Sequence, residues 1–249
     1  MLLNASPDLR AQLQATPALQ PRGSARGSPI TAVVLTGAEV DQTAGLLTLR
    51  ERQGFSVLAT TETLAALDAN PIFRVLAAGV VARKVVARGA PFALPGGMDA
   101  ELFSVPGKVA LYLEDDDPAL DTESGANVGV EIVSGPHRLV YVPGAAAVTA
   151  ALRQRLARAD VLLFDGTLFV DDEMITTGTG TKTGRRMGHM PLDGEGGTLA
   201  VLADLPGRGR RIVTHINNTN PILIEGSAER RKVEEAGFEI AEDGMEIVL

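Results

Sequence analysis

The sequence contains no cysteine and no tryptophan, and its 249 residues include only three histidines, two tyrosines and seven phenylalanines. Without thiols there is no disulfide, no thiolate nucleophile, no zinc finger and no iron–sulfur cluster. Any metal or acid–base chemistry must therefore use oxygen donors and imidazole. Long apolar runs are missing too, since no stretch approaches the roughly 20 residues that cross a bilayer. The start, MLLNASPDLR, lacks the basic end and apolar core of a signal peptide. A cytoplasmic protein with no membrane insertion is the expectation. An excess of positive charge is also absent: 23 Lys and Arg stand against 31 Asp and Glu, a net charge of −8. Such a chain repels phosphate backbones as a whole, so nucleic acid is not an expected partner. What is present is a globular composition, 45% apolar and 22% charged, in a length that can bury a sizeable core.

Apolar runs of strand length recur between Gly, Pro and Asp clusters, with helical patterns among them, which predicts one mixed α/β domain over residues 1–249. TAVVLTG (31–37) reads as a strand buried on both faces, followed by a helix starting just after Asp41. FSVLAT (55–60) reads as the next strand, and TETLAALDANP as a short helix with Thr61 as N-cap, ending near Asn70 and Pro71. From about Val80 to Val133 the pieces KVVARG, AELFSV, KVALYLE and VGVEIV alternate as antiparallel strands do. The acidic stretch from Glu114 to Asn127 reads as a solvated loop, because it lacks the ligand spacing of an EF-hand. HRLVYVPG and ADVLLFDGTLF are strands flanking the amphipathic helix AAVTAALRQRLARA, and IVTHINNTNP is the last strong strand. A helix, AERRKVEEAG, and FEIAEDGMEIVL close the chain. This order suits two packed sheets covered by helices better than the regular alternation of a doubly wound sheet.

Ionisable residues follow buried strands in three places: Glu39 and Asp41, Asp165, and His215. Strand ends are where open α/β folds build their sites. A fourth place is the glycine-rich segment TTGTGTKTGRRMGHM, which gathers Lys182, Arg185, Arg186 and His189 within eight residues but does not meet the order of a Walker A loop. His137, in GPHR, reads as an exposed turn residue. His215 precedes Asn217, Asn218 and Asn220, a polar cluster that either makes a hydrogen-bonded turn or lines a site. Convergence of Asp41, His189 and His215 would give two imidazoles and one carboxylate, the ligand set of non-haem Fe(II).

The strings NASPDLR, VVLTGAEVDQTAGLLTLRE, KVALYLE, NVGVEI, LVYVPG, LLFDGTLFVDDEMI, GTGTKTGRRMGHM and THINNTNPIL cover essentially the whole chain. Together they resemble the pyrroloquinoline quinone (PQQ) biosynthesis protein B family, which is similar in fold to the metallo-β-lactamases. The resemblance implies an αββα sandwich with its site along one edge of the paired sheets. Family members usually begin earlier, with strands and a cysteine-bearing segment that resembles a structural zinc site. Relative to them this sandwich would lack its first strands, and one sheet would carry an exposed edge.

A metallo-β-lactamase carries His-x-His-x-Asp-His after a strand, whereas the corresponding residues here are Gly37-Ala38-Glu39-Val40-Asp41-Gln42. Only the Asp is kept, with Glu39 and Gln42 where imidazoles are expected. The later bridging aspartate falls at about Gly144, so a two-zinc hydrolase is not implied. His215 matches the terminal histidine. Gly188-His189 is similar to the Gly-His pair of the ribonuclease Z-like branch, in which an acidic residue like Asp165 holds the imidazole. The resemblance thus implies a one-metal site drawn from Asp41, His189 and His215, with Gln42 and Glu39 beside Asp41, and a catalytic pairing of Asp165 with His189.

The leading function it implies is an enzyme of PQQ formation, an Fe(II)-dependent hydroxylase acting on the tyrosine ring of a peptide-derived glutamate–tyrosine precursor, with zinc left open as the metal. Lys182, Arg185 and Arg186 would pair with substrate carboxylates, and Asn217, Asn218 and Asn220 would line the substrate. The alternative is a non-catalytic carrier of PQQ or its precursor, with no cofactor, linked to transport toward the periplasm. A hydrolase keeping one zinc is a third reading. The partner is a small molecule in every case, and a homodimer is left open as the assembly.

Overall fold

A computed structural model describes residues 1–23, 27–114, 123–206 and 209–248, and in it a side-chain cap precedes the helices that begin at Thr61, Ala150 and Ala228. The described strands are β1 (Leu2–Leu3), β2 (Ala32–Val34), β3 (Phe55–Ala59), β4 (Val81–Val85), β5 (Pro91–Leu94), β6 (Met98–Ser104), β7 (Val128–Ser134), β8 (His137–Val142), β9 (Val161–Asp165), β10 (Arg210–Thr214) and β11 (Glu239–Ile240). The described α-helices are α1 (Leu9–Ala15), α2 (Val40–Thr43), α3 (Thr61–Ala69), α4 (Ala150–Leu156), α5 (Glu173–Thr176), α6 (Thr198–Val201) and α7 (Ala228–Glu235). None of these helices is long and apolar enough to cross a membrane. The centre of the acidic stretch, 115–122, lies outside the described residues.

The chain divides into two compact units. The first comprises 1–103 with described residues 109–114 and 125–128. Its strands β1, β2, β3 and β4 lie in that order, all parallel, with Leu2 opposite Val33 and Phe55 opposite Val81. Every residue of β2 is buried, as a continuous apolar run in a covered parallel strand should be. Leu35, Leu46, Val57, Leu64, Leu67 and Phe73 are part of one core with it. Each such aliphatic or aromatic side chain contributes about 1.5–3 kcal/mol on burial. The N-cap of α3 is Thr60, one residue before the expected Thr61: its Oγ1 accepts the Thr63 N–H at 3.2 Å and donates to the Gly125 carbonyl at 2.6 Å.

Three further expectations are corrected in this unit. The helix beginning near Asp41 starts at Val40 and tightens into a 3-10 helix over Ala44–Leu49. The Gly45 N–H donates to the Ala5 carbonyl at 2.8 Å instead of continuing the α-helical pattern. KVALYLE is not a strand. Leu111–Leu113 is a 3-10 turn whose first N–H is held by both carboxylate oxygens of Glu39 at 3.1 Å, while the Tyr112 hydroxyl donates to the Ala38 carbonyl at 2.9 Å. Finally, β4 is parallel to β3, so antiparallel pairing in the middle of the chain is seen in the hairpins β5–β6 and β7–β8.

The second unit comprises 104–108, 123–124 and 129–248 among the described residues. Its strands run β11-β10-β9-β8-β7; β9 is parallel to both neighbours and β7 is antiparallel to β8. His137 is exposed at the start of β8, as expected. Thr149 caps α4 by accepting the Leu152 N–H, and Leu152 and Leu156 turn into the core. The buried Glu131 of β7 binds Arg138 of β8 and Arg155 of α4, tying that helix to the sheet. The register of β9 and β10 places Asp165 opposite Thr214, so both strands end at the same level.

Candidate metal centre

Two strand ends at one level bring together residues that are far apart in sequence. Asp165 is the last residue of β9 and is fully buried; His215 is the first residue after β10. Between them the chain must be glycine, because a Cβ on Gly166 would come within 1.9 Å of Val213 Cγ1. Hydrogen bonds fasten this turn: Gly166 N–H to the Thr214 carbonyl at 2.8 Å, Asn217 N–H to the Thr167 carbonyl at 3.1 Å, and Asn220 Nδ2 to the Gly166 carbonyl at 2.9 Å. His215 takes a φ of +56°, a left-handed conformation that a non-glycine residue adopts at a cost. Such strain is characteristic of sites the surrounding structure over-determines.

His189 arrives from a different loop. Gly188, at φ +86°, ends the short turn Arg185–Met187, and the Met190 N–H donates to the Ala145 carbonyl at 2.7 Å. The same Ala145 gives its own N–H to Asp165 Oδ2 at 3.1 Å, so one residue beyond β8 anchors both the carboxylate and the histidine loop. His189 Nδ1 lies 2.7 Å from Asp165 Oδ2. Asp165 Oδ1 accepts the Thr167 N–H at 3.1 Å and its hydroxyl at 2.6 Å. The two imidazoles stack with centroids 5.4 Å apart and planes 18° from parallel.

Each of Asp165, His189 and His215 offers a ligand atom within 4.8 Å of the others, which makes them a candidate metal site. The donor set is nitrogen and oxygen, suited to zinc or iron and not to a soft ion such as Cu(I). Within it the roles differ. Asp165 already accepts two backbone N–H groups, a hydroxyl and an imidazole, which fills the lone-pair capacity of a carboxylate. His189 directs Nδ1 at this carboxylate and His215 directs Nδ1 at Thr167 Oγ1, so Nε2 is the ring nitrogen on the side of each imidazole away from these partners. Burial alone would raise the Asp165 carboxyl; the adjacent His189, helped by His215, outweighs that and holds it well below the usual carboxylate range.

Asp41, Gln42 and Glu39 lie in the first unit, on and beside α2. Asp41 is exposed; the buried Gln42 accepts the Glu39 N–H on Oε1 at 3.3 Å, and Glu39 holds the Leu111 N–H. Among the cationic residues, Arg185 directs its guanidinium at the Glu195 and Gly196 carbonyls, at 3.0 and 3.2 Å. Lys182 and Arg186 are half-buried on the same segment. Asn217 donates to Thr219 Oγ1 at 2.8 Å, Asn220 is buried and accepts the Ile222 N–H at 3.1 Å, and Asn218 is exposed. Sequence reasoning missed Thr167, whose Oγ1 stands 2.9 Å from His215 Nδ1 and 3.0 Å from His189 Nδ1. The available signal was Asp-Gly-Thr at a strand end, a pattern in which the carboxylate takes the N–H two residues on.

The Beta-lactamase superfamily domain matches residues 1–216. Coenzyme PQQ synthesis protein B of Methylobacterium nodulans is 54% identical over 249 residues, covering all of this chain and 83% of that protein. The protein of the same name from Rhizobium meliloti is 53% identical over 248 residues, 100% of this chain and 81% of that one. A crystal structure of Zn2+-bound PqqB from Methylobacterium extorquens superposes with a TM-score of 0.96 at 52% identity, covering 100% of this chain and 83% of that chain. The expected two-sheet α/β fold is thus the metallo-β-lactamase fold. With about half its residues identical along its whole length and the same fold, the chain belongs to the coenzyme PQQ synthesis protein B family of the beta-lactamase superfamily and serves PQQ biosynthesis.

Proposed function

We propose that the chain hydroxylates the tyrosine ring of a peptide-derived glutamate–tyrosine precursor, with His189 and His215 as imidazole ligands of a single Fe(II). The observation that carries this reading is the pair of stacked imidazoles gathered with a buried carboxylate, each of the three residues offering a ligand atom within 4.8 Å of the others. Iron, when bound, supplies the activation of dioxygen that imidazole and carboxylate side chains cannot provide themselves. One oxygen atom replaces a ring C–H bond with C–OH and the other leaves as water, with two electrons from an external reductant and two protons from solvent.

The chain's own residues do the rest. Asp165 fixes the His189 ring and keeps negative charge behind it. Lys182 and Arg186 pair with substrate carboxylates, and Arg185 shapes the loop that presents them through its hold on Glu195 and Gly196. Zinc, the ion in the relative from M. extorquens, is the competing metal, since both ions accept these donors. The test is anaerobic Fe(II) loading, then air, a reductant and the precursor. Stoichiometric uptake and a mass gain of about 16 for one hydroxylation, or about 32 for two in succession, support the reading.

The second reading, a carrier of PQQ or its precursor, is favoured by Gly144, which has no side chain to offer an ion, and by Gln42, whose amide oxygen is engaged with the Glu39 N–H. Saturable binding of the quinone with no oxygen incorporation would select it.

A further inference from the structure

Thr167 stands at the centre of the cluster with a single proton to give. Three acceptor or donor atoms lie within hydrogen-bond distance of its Oγ1: Asp165 Oδ1 at 2.6 Å, His215 Nδ1 at 2.9 Å and His189 Nδ1 at 3.0 Å. Both oxygens of Asp165 already accept backbone N–H groups, from Thr167 and Ala145, so this carboxylate acts as an acceptor on each side. A contact of 2.6 Å is the length of a charge-assisted O–H···O⁻ bond. The Thr167 proton is therefore committed to Asp165, and Oγ1 has only lone pairs left for its other neighbours.

His215 cannot reach the carboxylate itself, because its Nδ1 is 3.8 Å from Asp165 Oδ1. A lone pair on Nδ1 facing a lone pair on Oγ1 would repel, so Nδ1 must carry the hydrogen. In the neutral ring the lone pair then sits on Nε2, the nitrogen that would ligate an ion on the reading above, although free histidine prefers the opposite tautomer. His189 obtains the same arrangement by bonding directly to Asp165 Oδ2 at 2.7 Å. We propose that Thr167 is a positioning residue: it relays the hydrogen-bonding demand of Asp165 to His215 and thereby locks His215 in the tautomer whose Nε2 can bind metal. One carboxylate thus sets both imidazoles, one directly and one through a hydroxyl. The consequence for metal affinity rests on the reading that His189 and His215 hold the ion; the tautomer itself does not.

Long-range 15N–1H spectra of the imidazoles in the metal-free chain give the first readout. The unsubstituted chain is expected to show His215 protonated at Nδ1. Thr167→Val, which keeps the shape and removes the hydroxyl, is expected to move His215 toward the Nε2–H form and to weaken Zn2+ binding about 10- to 100-fold. Thr167→Ser is expected to restore both. An Nε2–H form of His215 in the unsubstituted chain overturns the proposal, and so does an unchanged tautomer in a folded Thr167→Val variant. Weakened Zn2+ binding that serine does not rescue assigns Thr167 a packing role instead. If the unsubstituted chain binds no Zn2+ and no Fe(II), the metal reading fails while the spectra still decide what Thr167 does.

Discussion

Asp165 is the most buried residue of the candidate site, and its environment makes a testable statement about pH. Its carboxyl is held down in the folded chain by the neighbouring imidazoles, against the upward push of burial. A group whose folded value is depressed adds stability above its unfolded value, about 3.9 for Asp, and that contribution is lost as pH falls toward the folded value. Denaturant midpoints of the metal-free chain should therefore fall below about pH 4. In Asp165→Asn this part of the slope should vanish, because an amide does not titrate. Gly166 next to it tolerates no side chain, since a Cβ would press into Val213. Gly166→Ala should cost about 1–3 kcal/mol of stability through overpacking, read from urea denaturation, and should spread Asp165 away from His215.

At the scale of elements, caps and buried ion pairs decide where helices sit. Thr60 both caps α3 and bonds to the Gly125 carbonyl. Thr60→Ala should lower stability by about 1–2 kcal/mol, whereas Thr60→Ser should retain most of it. Elements were also where the sequence was read most and least well. The strands that deliver the site were legible because a run such as VLLFD is buried on both faces and ends in a charged residue, and β9 and β10 match that reading. KVALYLE reads as an alternating strand and forms a turn, because what holds it is a carboxylate on Glu39, some 70 positions away. Periodicity cannot register such a partner. Likewise, parallel pairing of β4 with β3 depends on which edge is free, and local pattern does not encode it.

For the whole molecule, the fold was legible through its family motifs, and the site only in part. His189 and His215 stood out because the chain has three histidines in all, and their placement after glycine and after a strand is what the structure shows. Thr167 did not stand out, because a hydroxyl gains its meaning only from atoms that two strands and a distant loop bring around it. An ion bound by the folded chain alone also acts on global stability. At a free concentration one hundred times its dissociation constant it adds about 2.7 kcal/mol, or roughly 5–10 °C in the melting temperature of a chain this long. Removing metal with a chelator should reverse that shift in calorimetry, and His215→Ala should abolish it while leaving the metal-free melting temperature close to that of the parent.

The pairing of Asp165 with Thr214 gives the site a place in time as well as in space. Thr167 and His215 are separated by 48 positions, and they become neighbours only when β10 docks on β9 in the native register. Contacts so distant along the chain form late, because the intervening loop must close first. An ion should consequently find no binding site on a partly folded chain. In a refolding experiment its capture would mark the moment the sheet reaches its final alignment, lagging behind the recovery of far-ultraviolet circular dichroism and serving as a clock for the last step of folding.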